Sequence, residues 1–183
     1  MKRYKLKIEH DQDPIHPRRE WDNLGTMVCF HRRYDLGDKT DYRSEDFDSW
    51  EELENNILEN EGEVVMLPLY LYDHSGITIS TSPFGCSWDS GKVGVIFMSK
   101  HKIKKEGIDE SKVEEYLKNE VETYDSFLRG DVYQYKVYEI ETCNLGHEHK
   151  TLVESCGGYF DEEHCESEGK SMLDSLLESV PSL

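Results

Sequence analysis

The sequence has little that would take it into or across a membrane. No apolar run approaches the roughly 20 residues that span a bilayer. The basic opening Met1-Lys2-Arg3-Tyr4-Lys5 has no apolar stretch behind it, so no secretory signal is expected. Phosphate-cradling glycine patterns, GxxxxGK(S/T) and GxGxxG, do not occur, and neither do an EF-hand pattern or an internal repeat. Between residues 44 and 91 there is no Lys or Arg at all, against eleven Asp and Glu. The whole chain of 183 residues carries a net charge of −18. A surface of that sign is repelled by nucleic-acid phosphates and by anionic lipid, which argues against direct binding to either. Five cysteines are an odd number, and without an export signal they read as reduced thiols of a cytoplasmic protein.

What is present is enough for a core. The 11 Tyr and 3 Trp set the chain apart from charged disordered sequences, because each aromatic buries a large area. Charge is distributed in blocks. Residues 44–91 and 119–183 each sum to −11, while 1–43 and 92–118 each sum to +2.

Periodicity predicts an α+β fold with a mostly antiparallel sheet, two main helices and a short C-terminal helix. Tyr4 to Glu9 alternates as a strand, and Thr26 to His31 reads as a second. Ser49-Trp50-Glu51-Glu52 is a capping box opening a helix that Gly62 stops. Val64 to Tyr72 is an apolar strand whose Pro68 calls for an edge position or a bulge. A turn at Asp73-His74-Ser75-Gly76 leads into Ile77 to Ser80, predicting a hairpin, and Val93 to Ser99 follows as a further strand. Ser111-Lys112-Val113-Glu114 is a second capping box, and Val113, Leu117, Val121, Tyr124 and Leu128 form an apolar stripe. Val132 to Thr142 and Leu152 to Phe160 are strands joined through Gly146. Residues 161–169 are polar and acidic, and Ser171 to Val180 reads as a short helix. The division expected is one domain over 1–160 with an acidic extension over 161–183.

Several side-chain groupings have residue types that can carry chemistry. Cys143, His147, His149, Cys156, His164 and Cys165 are zinc-type ligands, but their spacing matches no usual knuckle, so no metal site is assigned and these six remain weak candidates. Cys29 and His31, two apart on a strand, have the residue types of a thiol dyad without a flanking nucleophile pattern. Asp11, Asp13, Asp22, Asp35 and Asp38 read as solvated loop carboxylates rather than a cation site. Lys100, Lys102, Lys104 and Lys105 read as strand-end charges that oppose edge pairing. No catalytic residue and no cofactor is expected. The acidic excess itself is the strongest signal, since a small domain stays soluble with a net charge of roughly 2–8. Carboxylates at Glu51, Glu52, Glu54, Glu59, Glu61 and Glu63, and at Asp161, Glu162, Glu163, Glu166 and Glu168, can imitate nucleic-acid phosphates and occupy a Lys/Arg-lined channel of a partner. A metal-assisted hydrolase of a small molecule or nucleotide, and an adaptor without inhibitory activity, are the rival readings.

Longer strings carry a resemblance. They run from Asp11-Gln12-Asp13-Pro14 through Trp21-Asp22-Asn23-Leu24-Gly25 to Tyr34-Asp35-Leu36-Gly37-Asp38. They continue in Leu67-Pro68-Leu69-Tyr70-Leu71-Tyr72-Asp73-His74-Ser75-Gly76, Trp88-Asp89-Ser90-Gly91, Glu120-Val121-Glu122-Thr123-Tyr124-Asp125 and Gly130-Asp131-Val132-Tyr133. Over about residues 10–160 the chain resembles a family of small acidic proteins carried by phages and other mobile elements. One branch of that family, similar in length and acidity, contains a type II-A anti-CRISPR inhibitor of Cas9. The resemblance implies a partner in guide-loaded Cas9, interference with target-DNA binding or cleavage, and residence in the cytoplasm of a host bacterium. Within the shared strings, Trp21 and Trp88 each precede a turn-forming acid. Each is expected to pack under its loop while the acid caps local amides. The functional alternative is a concave site lined by Asp22, Asn23, His31, His74 and Asp89.

Overall fold

The computed structural model describes residues 3–86 and 88–178. The fold is α+β, with antiparallel sheets. The chain forms two compact units, His16–Arg129 and the pair of segments Met1–Ile15 and Gly130–Leu183.

The unit His16–Arg129 is built on a four-stranded antiparallel sheet. Its strands are β2 (Thr26–Cys29), β3 (Val64–Asp73), β4 (Ile77–Ser80) and β5 (Ser90–Ser99), in the order β2-β5-β3-β4. Helix α2 (Trp50–Glu61) covers one face, placing Leu53 and Ile57 against Val28, Val95 and Phe97. Helix α4 (Val113–Arg129) covers the other, placing Leu117, Val121 and Tyr124 against Met27, Leu69, Leu71, Ile79, Ile96 and Met98. Burial on both faces explains why β5 is apolar at every position from Val95 to Met98, with no polar alternation. Leu53 and Ile57 are fully buried, and each contributes about 1.5–3 kcal/mol by leaving water. Two shorter helices complete the unit, α1 (Pro17–Glu20) and α3 (Lys100–Glu106).

Local chemistry sets the element ends. Ser49 caps α2 by accepting from the Glu52 amide, while the Glu52 carboxylate reaches the Asp48 amide instead of completing the expected box at Ser49. Gly62 ends α2 at φ +74°, where other residues are strained. Pro68 lies in the part of β3 that β4 leaves uncovered, next to a register shift at Leu69/Tyr70, so both devices expected of it are present. Asp109, not Ser111, caps the turn that leads into α4, by accepting from the Ser111 amide and hydroxyl. The lysines at 100, 102, 104 and 105, expected as strand-end charges, lie in α3, which Ser99 caps.

His16 caps α1 through Nδ1, which accepts from the Arg18 amide at 3.2 Å, and its ring packs on Phe127 at 4.6 Å. Burial, and then the nearby Arg19 charge, lower its pKa below the usual 6.5. As the pH falls below about 6.5 the unfolded chain takes up a proton that the folded chain refuses. Stability from His16 is therefore complete above that pH and declines towards the depressed folded value. Urea midpoints measured near pH 7.5 and near pH 5.5 should show the wild type losing ground on acidification relative to His16→Asn, which keeps a capping side chain but cannot titrate. Parallel behaviour of the two proteins would contradict a His16 whose protonation the fold disfavours.

The second unit is a three-stranded antiparallel sheet of β1 (Arg3–His10), β6 (Tyr133–Thr142) and β7 (Glu148–Tyr159), in the order β1-β6-β7. Helix α5 (Glu162–Glu178) packs on it through Cys165, Met172, Leu173 and Leu176, against Tyr4, Leu6, Ile8, Tyr135 and Val137. This replaces the expected division at residue 160. Residues 162–178 are a helix of the unit's own core rather than an extension, and the helix is 17 residues long rather than short. The contact is close at Gly169, where a Cβ would sit 2.8 Å from Leu6 Cδ1 and 3.0 Å from Tyr135 Cβ. The predicted end of this helix at Val180 lies outside the described residues.

Candidate functional site

Strand order and direction create a cleft at one end of the sheet in the unit His16–Arg129. Because β5 lies between β2 and β3 and runs opposite to both, the ends of β2 and β3 meet the start of β5 at one end of the sheet. There a cleft of about 350 Å³ is lined by Phe30, His31 and Arg33 after β2, Leu71 and Asp73 from β3, and Trp88 to Val93 around the start of β5. Backbone bonds from the Phe30 amide to the Val93 carbonyl and from the Asp73 amide to the Asp89 carbonyl, both 2.8 Å, hold its walls together.

The charges of the cleft are largely matched. Arg33 pairs with Asp73, which also accepts from the Tyr34 hydroxyl at 3.2 Å. The Arg33 guanidinium lies 5.3 Å from the Tyr34 ring centre, and His31 stacks on that ring at 4.9 Å. Lys92 pairs with Glu54 of α2, its ammonium 5.8 Å from the Trp50 ring centre. Among the described residues, Asp89 meets His74, whose Nδ1 is 3.3 Å from Oδ2, and the weak Cys86 thiol donor at 4.0 Å. Trp88 is 94% exposed. It does not pack under its loop as the sequence predicted.

A buried ion network holds the approach to β2, at the opposite end of the strand from the cleft. Arg18 has a side chain only 1% exposed. Its Nε and Nη2 donate to the two Asp38 carboxylate oxygens at 2.8 and 2.6 Å, its Nη1 to Glu120 Oε2 at 2.7 Å, and its Nη2 also to the Gly25 carbonyl at 2.8 Å. Glu120 in turn accepts from the Leu24 and Gly25 amides, and Asp38 from the Met27 amide. Burial works against the Arg18 charge, but the two carboxylates more than offset it and raise its pKa. Asp125 similarly accepts from the Thr78 hydroxyl and the Ile79 amide, fastening α4 to β4. Asp38 is thus a structural carboxylate and not the solvated loop acid expected. Asp11 is another, accepting from the Asp13 and Gly158 amides within its own unit.

The other candidates separate as follows. Of the concave set, His31 and Asp89 line the cleft and His74 borders it through Asp89. Asn23 instead donates to the Pro17 and Trp21 carbonyls, and Asp22 is not part of the lining. Burial pushes the Cys29 thiol up to about 12, so it stays protonated, and His31 is stacked on Tyr34, so they make no nucleophilic dyad. Cys143 and His147 share the β6–β7 turn, His149 and Cys156 are on β7, and His164 and Cys165 are on α5. Burial raises the Cys165 thiol to about 11. Among the described residues no three His, Cys, Asp or Glu side chains come close enough to hold a metal ion.

The acidic residues fall on two helices of different units. On α2, Glu51, Glu52, Glu59 and Glu61 are exposed, Glu54 is half-buried beside Lys92, and Glu63 follows the helix in an ion pair with Lys100 at 3.0 Å. On α5, Glu162, Glu163, Glu166 and Glu168 are exposed, and Glu166 pairs with Lys170 at 2.7 Å. Asp161 precedes α5 and accepts from the His164 amide at 2.6 Å, a capping contact. No helix among the described residues is long and apolar enough to cross a membrane.

Comparison with known protein families, with curated proteins and with solved structures finds no match for this chain.

Proposed function

We propose that the protein is a binding inhibitor that offers the carboxylates of α2 to a cationic groove on another protein, and that this partner is guide-loaded Cas9. The observation that carries the reading is the outer face of α2. Glu51, Glu59 and Glu61 stand exposed there, within a stretch of chain that has no Lys or Arg. Cas9 holds its heteroduplex in a positively charged channel and reads its PAM through arginines, the kind of surface such a face complements. The resemblance to acidic phage-borne proteins, with their anti-CRISPR branch, names the target. In this reading the block on target-DNA binding or cleavage comes from occupancy alone, without turnover, in the cytoplasm of a host bacterium.

Pull-down of Cas9 with and without guide RNA tests the partner. Replacing Glu51, Glu59 and Glu61 together by Lys leaves the buried Leu53 and Ile57 and the Ser49 cap in place. The triple variant should bind at least about tenfold more weakly, and raised salt should narrow the difference. Inhibition that survives the triple reversal unchanged would remove α2 from the mechanism.

A further inference from the structure

Among the described residues, the charge balance of the cleft leaves one carboxylate without a lysine or arginine, and one aromatic face open to solvent. Both cations inside it are neutralised, Arg33 by Asp73 and Lys92 by Glu54. Among the described residues, the carboxylate of Asp89 has no Lys or Arg paired with it, and it remains partly open to solvent. The residue before it, Trp88, turns an indole to water with almost no packing. The surrounding protein is strongly negative, so an anionic ligand approaches against the long-range field and a cationic one with it. An indole face attracts a guanidinium or ammonium, by about 0.5–1 kcal/mol when exposed and about 2 when water is excluded. A carboxylate adds a bidentate pair only for the guanidinium, whose planar fork matches its two oxygens.

We propose that the cleft is an arginine receptor, in which a partner protein's arginine side chain lies on Trp88 and pairs with Asp89. The proposal rests on the cationic partner of the preceding reading and supplies its anchor. Binding by α2 is diffuse and salt-sensitive, whereas the cleft selects one side chain by shape. Aromatic side chains in pockets are frequent centres of binding energy, with neighbouring charges setting the rate of encounter.

Calorimetric titration of the full chain with a capped, flexible glycine-spaced peptide carrying two arginines provides the test, with the two-lysine peptide as comparison. The arginine peptide should bind more tightly than the lysine peptide. Trp88→Ala and Asp89→Asn, made separately on an exposed loop, should each weaken it at least about tenfold while circular dichroism stays unchanged. The Glu51, Glu59 and Glu61 charge reversal should weaken both peptides alike. Equal affinity for the two peptides, or binding indifferent to both cleft variants, would overturn the receptor. So would absence of measurable binding by the wild type. In each of these cases the Cas9 pull-down still reports on α2 independently. Loss of peptide binding in the cleft variants, with Cas9 neither captured nor inhibited, would keep the receptor and reject that partner.

Discussion

Arg18→Ala should destabilise the protein by about 3–5 kcal/mol, a large part of the roughly 5–15 kcal/mol that holds a domain folded. The side chain is almost wholly buried and donates four hydrogen bonds, to Asp38, to Glu120 and to the Gly25 carbonyl. Removing it leaves two mostly buried carboxylates facing each other with no counter-charge. It also frees the acceptors that hold Leu24, Gly25 and Met27 in the approach to β2. Arg18→Lys should recover only part of the loss, because an ammonium cannot reproduce the fork that grips both Asp38 oxygens. Urea unfolding monitored by tryptophan fluorescence measures both. A loss under about 1 kcal/mol for the alanine variant would mean that water enters and solvates Asp38 and Glu120, and that the network is not a buried one.

Gly94→Ala should be nearly as damaging, for a steric reason. A Cβ at Gly94 would lie 2.0 Å from the Val28 carbonyl oxygen and 2.9 Å from the Cys29 Cα, both backbone atoms that no rotamer change can move. Gly94 pairs with Cys29 on one side and Leu69 on the other, next to the register shift in β3. The only relief is to push β2 away from β5. That opens the contacts of Val28 with α2 and of Met27 with α4 together. Overpacking commonly costs about 1–3 kcal/mol, and a backbone clash at the centre of a sheet should reach the top of that range or pass it. Thermal unfolding of Gly94→Ala beside Gly91→Ala is the comparison to make, since a Cβ at Gly91 meets nothing within 4 Å. Equal melting temperatures would show that β2 has slack.

The elements that were legible are those whose signal is local. The stripe Val113, Leu117, Val121, Tyr124 is the buried side of α4, and the turn after Asp73 joins β3 to β4 as a hairpin. The first half of α5 was not legible, because its inward positions are Cys165 and Gly169. Close approach to the sheet needs small residues there, and small residues carry no hydrophobic signal. The pairing of β1 with β6 joins residues more than a hundred positions apart, for which a single sequence holds no local cue. The ion network was hidden for a related reason. Arg18, Asp38 and Glu120 look like any charged surface residues until three remote segments close around them. Of the cleft, His31, His74 and Asp89 were foreseeable as polar residues flanking strand ends. The exposure of Trp88 was not, since tryptophan usually packs.

The sheet of the second unit also says something about ancestry. The Asp11 amide donates to the Val132 carbonyl at 2.7 Å, just beyond the His10–Tyr133 pair. The chain thus departs from one strand and re-enters the adjacent one a hydrogen bond away, with all of His16–Arg129 carried between them. In connectivity, β1 and β6 are an ordinary hairpin whose tip has been expanded into a folded cassette. Closing such a tip costs an entropy that grows only logarithmically with its length. Exchange of the cassette at these two junctions would leave every pair of the β1–β6 ladder in place.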